Sequence, residues 1–341
     1  MRITLGIIRQ KFWLMDSRNQ VQNANLPEVR INEAFPFANT GIDYCGPLFT
    51  KEKKFRNRGS VKVYICVFVC MVVKAIHLEV VTDLSSDGFL AALRRFIARR
   101  GLPSNIYSDN GSNFVGANNK LKELYLLLNS EDHKKKVHNF FSENCIKWHF
   151  IPPISPHFVG LWESSVKLFK HHFRRVVGDT LFTLEELQTF TVEVEGILNS
   201  RSIIPLSADP NDMLALTPAH YLIGRPITTL PSENVSCVPA NRLSNGQHIC
   251  TVRQDFWARW NLEYIHELQK RQKLLKDGTD IKEGTLVIIK EKNQPCSHWS
   301  MGKIIKTHPG RDGMTRVVTL KTTRGDVQRP VKLICPLPIN Q

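Results

Sequence analysis

Residues 105–116 read NIYSDNGSNFVG, a short apolar run, Ile106–Tyr107, that stops on Ser108-Asp109-Asn110-Gly111. Asn-Gly is a strong turn signal, so the run reads as a buried strand ending in a turn. The question is why a carboxylate, Asp109, stands at its end. Turn chemistry is one answer, because Asp and Asn bond their own backbone and tolerate turn geometry. A ligand held by the carboxylate is the other, and the surrounding segments decide between them.

Upstream, VKVYICVFVCMVVKAIHLEVV (61–81) is too long for one strand and reads as two, hinged near Val73-Lys74. TGIDYCGPL gives an earlier strand around 41–49. DLSSDGFLAALRRFIARRG (83–101) is a helix: Ser85 or Ser86 caps it, Phe89, Leu93, Phe96 and Ile97 form one stripe, and Gly101 ends it. Downstream, NNKLKELYLLL (118–128) is a helix, followed by a more polar one to about 144. IKWHFIP (146–152) is a strand stopped by Pro152-Pro153. Two helices follow, 160–178 and 183–201. Three strands, helix, strand, helix, strand, helices predict an α/β fold: a mixed five-stranded sheet with flanking helices.

The rest of the chain changes character. It is Pro-rich and loop-like from about 202 to 240, then QDFWARWNLEYIHELQKRQKLLK (254–276) forms a long helix with a Trp257, Trp260, Tyr264, Leu268 stripe. After Lys276, short β-rich runs alternate with Gly-containing turns, the pattern of a small all-β barrel. The expected organisation is a poorly patterned segment 1–35, a core 36–202, a connector 203–246, a helical linker 247–278 and a barrel 279–338.

Bulk properties narrow the function. With 341 residues, 42% hydrophobic and 23% charged, the chain can bury two or three domains. No apolar run is long enough to span a bilayer, and MRITLGIIRQKFW lacks the full apolar region and cleavage site of a signal peptide. A net charge of +15 favours a polyanionic partner, and nucleic acid over membrane. The eight cysteines form no C-x-x-C pair and read as reduced, mostly buried thiols of a cytosolic or nuclear protein. His77, in AIHLE, reads as a hydrogen-bonded strand histidine.

Two further acids stand in places like that of Asp109. Asp43 lies inside an apolar strand, which is costly unless the carboxylate is paired or binds a metal. Glu163 falls on the first turn of the expected 160–178 helix. Along that helix Trp162, Val166, Phe169, Phe173 and Val176 form the buried face, and Glu163, Lys167, Lys170, His171 and Arg174 recur one residue over. Arg175 adds a further cation, and His171-His172 are expected on the surface or facing DNA. A solvated amphipathic helix with Glu-to-Lys support gives the same pattern.

GIDYCGPL, YSDNGSNF and FIPPISPHFVGLWESSVK together resemble the D, D, E segments of retroviral-type integrases, and most closely those of BEL/Pao-type retrotransposons. FLAALRRFIARRG, ILNSR, DPNDMLALTPAHYLIGRP and the tail from about 248 to 338 extend the resemblance over nearly the whole chain. It implies an RNase H-like core that joins 3′-hydroxyl DNA ends to target DNA, with Asp43, Asp109 and Glu163 as the catalytic, metal-binding triad. Two Mg²⁺ or Mn²⁺ ions are implied, with Asp43 shared between them. Lys167, Lys170, His171, Arg174 and Arg175 are the expected DNA contacts. The expected partners are element ends and target DNA and, if the protein is active, further copies of the chain. Neither a membrane nor a small-molecule substrate is expected, and the expected location is nuclear, or cytoplasmic in transit. The family's His-His-Cys-Cys zinc domain is not expected, since no His precedes His77 and no Cys precedes Cys45. Val159-Gly160 stands where the family has two glycines. An element-derived DNA- or chromatin-binding protein without catalysis, and a metal-dependent nuclease of the same fold, remain alternatives. Under the leading reading Asp109 ends its strand to hold a metal rather than to make a turn.

Overall fold

A computed structural model describes residues 34–52, 59–128, 146–150, 156–178, 180–206, 212–229, 244–275, 281–291, 294–311 and 313–337. The N-terminal segment, the polar helix expected up to about 144 and much of the Pro-rich connector lie outside the described residues. The chain divides into two compact units, one ending at Glu195 and the other continuing from Gly196.

The first unit is built on one sheet. β1 (Asn39–Lys51), β2 (Ser60–Cys70) and β3 (Ile76–Val81) form an antiparallel meander. Helix α1 (Ser86–Arg100) leads to β4 (Asn105–Ser108), helix α2 (Ser112–Leu128) follows, and then β5 (Lys147–Phe150). β4 pairs parallel with β1 and β5 pairs parallel with β4, giving the order β3-β2-β1-β4-β5, the RNase H-like arrangement. Helix α3 (Pro156–Val177), β6 (Phe182–Thr183) and helix α4 (Leu184–Asn199) complete this part, with β6 adding a sixth strand against the far end of β1.

Alternation along the strands sorts the faces. Ile42 and Tyr44 of β1 share a side with Phe68 and Cys66 of β2. There Phe68 stacks on Phe96 of α1 (centroids 4.3 Å apart) and Tyr44 stacks on Phe114 of α2 (5.3 Å). Asp43 and Cys45 point the other way, toward α3. Ser85 caps α1 as expected, its Oγ accepting from the Gly88 N–H at 3.0 Å, and Gly101 ends the helix at φ +93°.

Three helices begin earlier than the sequence suggests. α2 starts at Ser112, not 118: the Gly111 carbonyl accepts from both Phe114 N and Val115 N, so the Asn-Gly turn runs straight into the helix. Gly116 sits inside α2 because a Cβ there would come within 2.2 Å of Ser86 Oγ on α1. α3 starts at Pro156, not 160, because proline at the first helical position loses no hydrogen bond and brings a helical φ. Glu163 therefore lies in the third turn rather than the first. The buried stripe of α3 is Val166, Phe169, Phe173 and Val177; Val176, expected inside, is only partly buried.

In the second unit the described part of the connector holds regular elements. β7 (Ile204–Pro205) and β8 (Ala215–Leu216) pair, and helix α5 (Pro218–Ile223) follows. Helix α6 (Asn245–Leu275) begins nine residues before the expected 254. A reciprocal capping box starts it: Ser244 N–H donates to Gln247 Oε1 at 3.0 Å and Gln247 N–H to Ser244 Oγ at 3.3 Å. β9 (Leu286–Ile289), β10 (Met301–Pro309), β11 (Thr315–Thr322), β12 (Gly325–Pro330) and β13 (Ile334–Pro336) form a sheet of order β12-β11-β10-β9-β13. A 3-10 turn, Val331–Leu333, returns the chain so that β13 pairs with β9, the topology of SH3-type small barrels. Val287, Ile289, Ile304, Val318, Leu320 and Ile334 fill its interior. On the other side Leu286, Ile288, Cys335 and Leu337 pack with Ile265 of α6, so helix and sheet share a second core.

The candidate active site

Asp43 lies mid-way along β1, its side chain 31% exposed. The β1–β4 ladder pairs Gly41 with Tyr107; continued by two residues, that register sets Asp43 beside Asp109. Adjacent strands are about 4.8 Å apart, so the two aspartates stand at neighbouring positions, Asp109 just past the end of β4. Asp109 is exposed, and its Oδ1 accepts the Gly111 N–H at 3.0 Å. This corrects the expectation that it forgoes the turn: the carboxylate closes an Asx turn, as local geometry allows any Asp before Asn-Gly to do.

α3 crosses the same end of β1. Lys170 Nζ lies 2.6 Å from Asp43 Oδ2, and Arg174, one turn on, donates from Nη2 to the Gly46 carbonyl at 2.7 Å. The second oxygen of Asp43 accepts the Tyr44 N–H at 2.6 Å. Glu163 precedes Lys170 by seven residues, so the two share a stripe of α3 roughly 10 Å apart along its axis. The Glu163 side chain itself is outside the described residues. Among the described residues no three His, Cys, Asp or Glu side chains gather into a metal-binding group.

The expected DNA contacts separate into two sets. Lys167, His171 and Arg175 are exposed, with Arg175 Nη1 3.3 Å from His171 Nε2. Lys170 and Arg174 instead engage β1 directly, pairings between residues 127 and 128 apart that no local pattern announces. His172, expected at the surface beside His171, is buried, because it lies between Phe169 and Phe173 on the inward side of the helix.

The buried histidine of β3 belongs to a separate cluster. His77 Nε2 lies 3.0 Å from Glu79 Oε1 and Nδ1 lies 3.1 Å from Glu195 Oε2. Arg95 Nε donates to Glu79 Oε2 at 2.6 Å, Arg99 is 3.4 Å from Glu79 Oε1, and Arg100 pairs with Glu195. Arg100 Nε also lies 3.3 Å from Nδ1, but with both ring nitrogens facing carboxylates the ring donates from both, and Arg100 is held through Glu195. Burial pulls the His77 pKa down, but its bonds to Glu195 and Glu79 outweigh that and raise it. Burial pushes both glutamates up, and the surrounding cations carry them below the usual range. Glu195 Oε2 also accepts the Leu78 N–H at 2.8 Å, and Arg95 Nη2 donates to the Val80 carbonyl at 3.1 Å.

Residues 244–337 match a family described as of unknown function, DUF5641. The match spans α6 and the whole five-stranded barrel sheet. No curated protein sequence matches the chain. A chain of the simian T-cell lymphotropic virus intasome, in complex with PP2A regulatory subunit B56 gamma, is 12% identical; the alignment covers 94% of this chain and 86% of that one, with a TM-score of 0.35. The HTLV-2 integrase catalytic core domain, in complex with magnesium in a trimeric form, is 17% identical over 51% of this chain and 92% of that one, with a TM-score of 0.31. At such scores neither carries an argument about this chain, and the fold rests on the strand order above.

Proposed function

We propose that the chain is an integrase-like polynucleotidyl transferase that joins DNA 3′-hydroxyl ends to target DNA. The observation that carries this reading is the parallel β1–β4 register, which, continued two residues past Gly41–Tyr107, leads to Asp43 and Asp109, together with the contact of the Glu163-bearing helix on β1 at Asp43. The sequence resemblance to BEL/Pao-type integrases supports the same three residues. The donor set suits a hard divalent cation: all three are carboxylates, and Asp43 already takes a positive charge, the Lys170 ammonium, at 2.6 Å. Asp43, Asp109 and Glu163 would hold Mg²⁺ or Mn²⁺. Bound there, the metal would activate the attacking oxygen and stabilise the leaving one.

The protein's own groups supply the rest. Exposed Lys167, His171 and Arg175 line up along α3 and suit phosphate contacts, which position a duplex without reading its sequence. Val166, Phe169 and Phe173, all buried, fix that helix and hence the line of cations. Arg174 ties it to β1 through the Gly46 carbonyl.

The test is strand transfer on blunt duplex DNA with Mn²⁺, for wild type and for Asp43→Asn, Asp109→Asn and Glu163→Gln. Activity lost equally in all three, and not further in double variants, supports the reading, since such residues act as a unit. Activity kept in any one of them refutes its assignment. A second reading, DNA binding without chemistry, is favoured by the net charge of +15, which serves binding with or without catalysis. It becomes the better one if wild type binds duplex and transfers nothing.

A further inference from the structure

Lys170 reaches from α3 to Asp43 Oδ2 at 2.6 Å, with its side chain 22% exposed. The oxygen it takes is one that a divalent cation on Asp43 would need. Lysine's ammonium is a compact point charge on a flexible stem, well suited to occupy a cation's place and to leave it. The neighbouring Arg174–Gly46 bond and the buried stripe of α3 fix the helix, so Lys170 leaves by swinging its side chain rather than by moving the backbone.

We infer that Lys170 is a positioning residue that holds the cation's place on Asp43 while the metal is absent, competes with the metal for that carboxylate, and is drawn off by nucleic-acid phosphate. The inference rests on the proposed function and adds a linkage to it. Without a ligand, the ammonium neutralises a half-buried carboxylate and lowers its affinity for a divalent ion. A phosphate that captures the ammonium removes the competitor, so DNA tightens metal binding. By reciprocity the metal tightens DNA binding by the same factor. A site built this way is loaded only when the substrate is present.

The experiment measures Mn²⁺ binding to the full chain at constant ionic strength, by the free-ion paramagnetic resonance signal, with and without a blunt duplex. Asp43→Asn with the same duplex is the blank for ions held by the DNA itself. Wild type should bind Mn²⁺ weakly alone and roughly 5- to 150-fold more tightly with duplex, the usual span of such couplings. Lys170→Met should bind Mn²⁺ tightly without DNA and show little further tightening with it. Lys170→Gln, read alongside, guards against a folding defect in the first variant, and melting temperatures check both. Lys170→Arg, which keeps the charge, should keep the coupling. If the Met and Gln variants bind Mn²⁺ as wild type does, while Asp43→Asn abolishes binding, the competition is overturned and the active-site reading survives. Wild-type affinity that duplex leaves unchanged also overturns the coupling. If none of these proteins binds Mn²⁺, the metal-site reading falls and takes the inference with it.

Discussion

Asp109 does two things that the sequence sets against each other. Its Oδ1 closes the turn to Gly111, and its place past β4 puts it beside Asp43. Asparagine offers the same Oδ1 to the turn but is a poor ligand for a hard cation. Asp109→Asn should therefore stay within about 0.5 kcal/mol of wild-type stability while losing metal-dependent end joining; paired melting curves and gel assays check both halves. His77 allows a prediction in pH. Its pKa is raised on folding, so its stabilisation is complete below its ordinary value of 6.5 and is lost as pH climbs through the folded value. Glu79 and Glu195 are depressed, so theirs is complete above their ordinary 4.5 and is lost as pH falls through the lowered values. The cluster should contribute most between those limits. Wild type should lose more melting temperature than His77→Gln on going from pH 5.5 to 8.5, and equal losses would remove His77 from the account.

At the level of elements, α6 and the barrel sheet stand or fall together. Ile265 is buried among Leu286, Ile288, Cys335 and Leu337, so Ile265→Ala should cost about 2–5 kcal/mol, the range for emptying a packed core site. A fragment covering 244–337 should melt cooperatively, whereas one starting near 280 exposes Leu286 and Ile288 and should melt earlier or not at all. Calorimetry of the two fragments decides it, and equal melting would show that the helix contributes nothing. Much of the element order was legible in the sequence, because strands such as β2 and stripes such as Phe89, Leu93 and Phe96 carry their own periodicity. Helix starts were less so. Asn-Gly signals a turn and masks the helix start at Ser112 that follows it at once, and the Ser244/Gln247 capping box is the sequence signal that marks the start of α6. Asp43 stood out because a charge in an apolar strand is conspicuous. The Lys170–Asp43 pair did not, because it joins residues far apart in the chain and depends on how α3 lies across β1.

For the whole molecule, a net charge of +15 sets the terms of any encounter with DNA. Binding should weaken linearly in log–log titrations against salt, with a slope of about −0.9 per phosphate neutralised. Lys167→Ala/Arg175→Ala should make that slope shallower by about one to two contacts without changing sequence preference. A flat titration, or an unchanged slope in the double variant, would refute the electrostatic account. The His77 cluster bears on a different property of the molecule. β3 ends the core sheet, and two of its outward backbone groups are occupied by side chains, Leu78 N–H by Glu195 and Val80 C=O by Arg95. An uncovered strand edge is a template on which a second chain can add. Glu195 thus covers part of that edge as well as balancing His77. Glu195→Ala should cost about 3–5 kcal/mol, as for breaking a buried pair, and should also turn concentrated solutions turbid well below the variant's own melting temperature. Light scattering followed through a slow temperature ramp would record that.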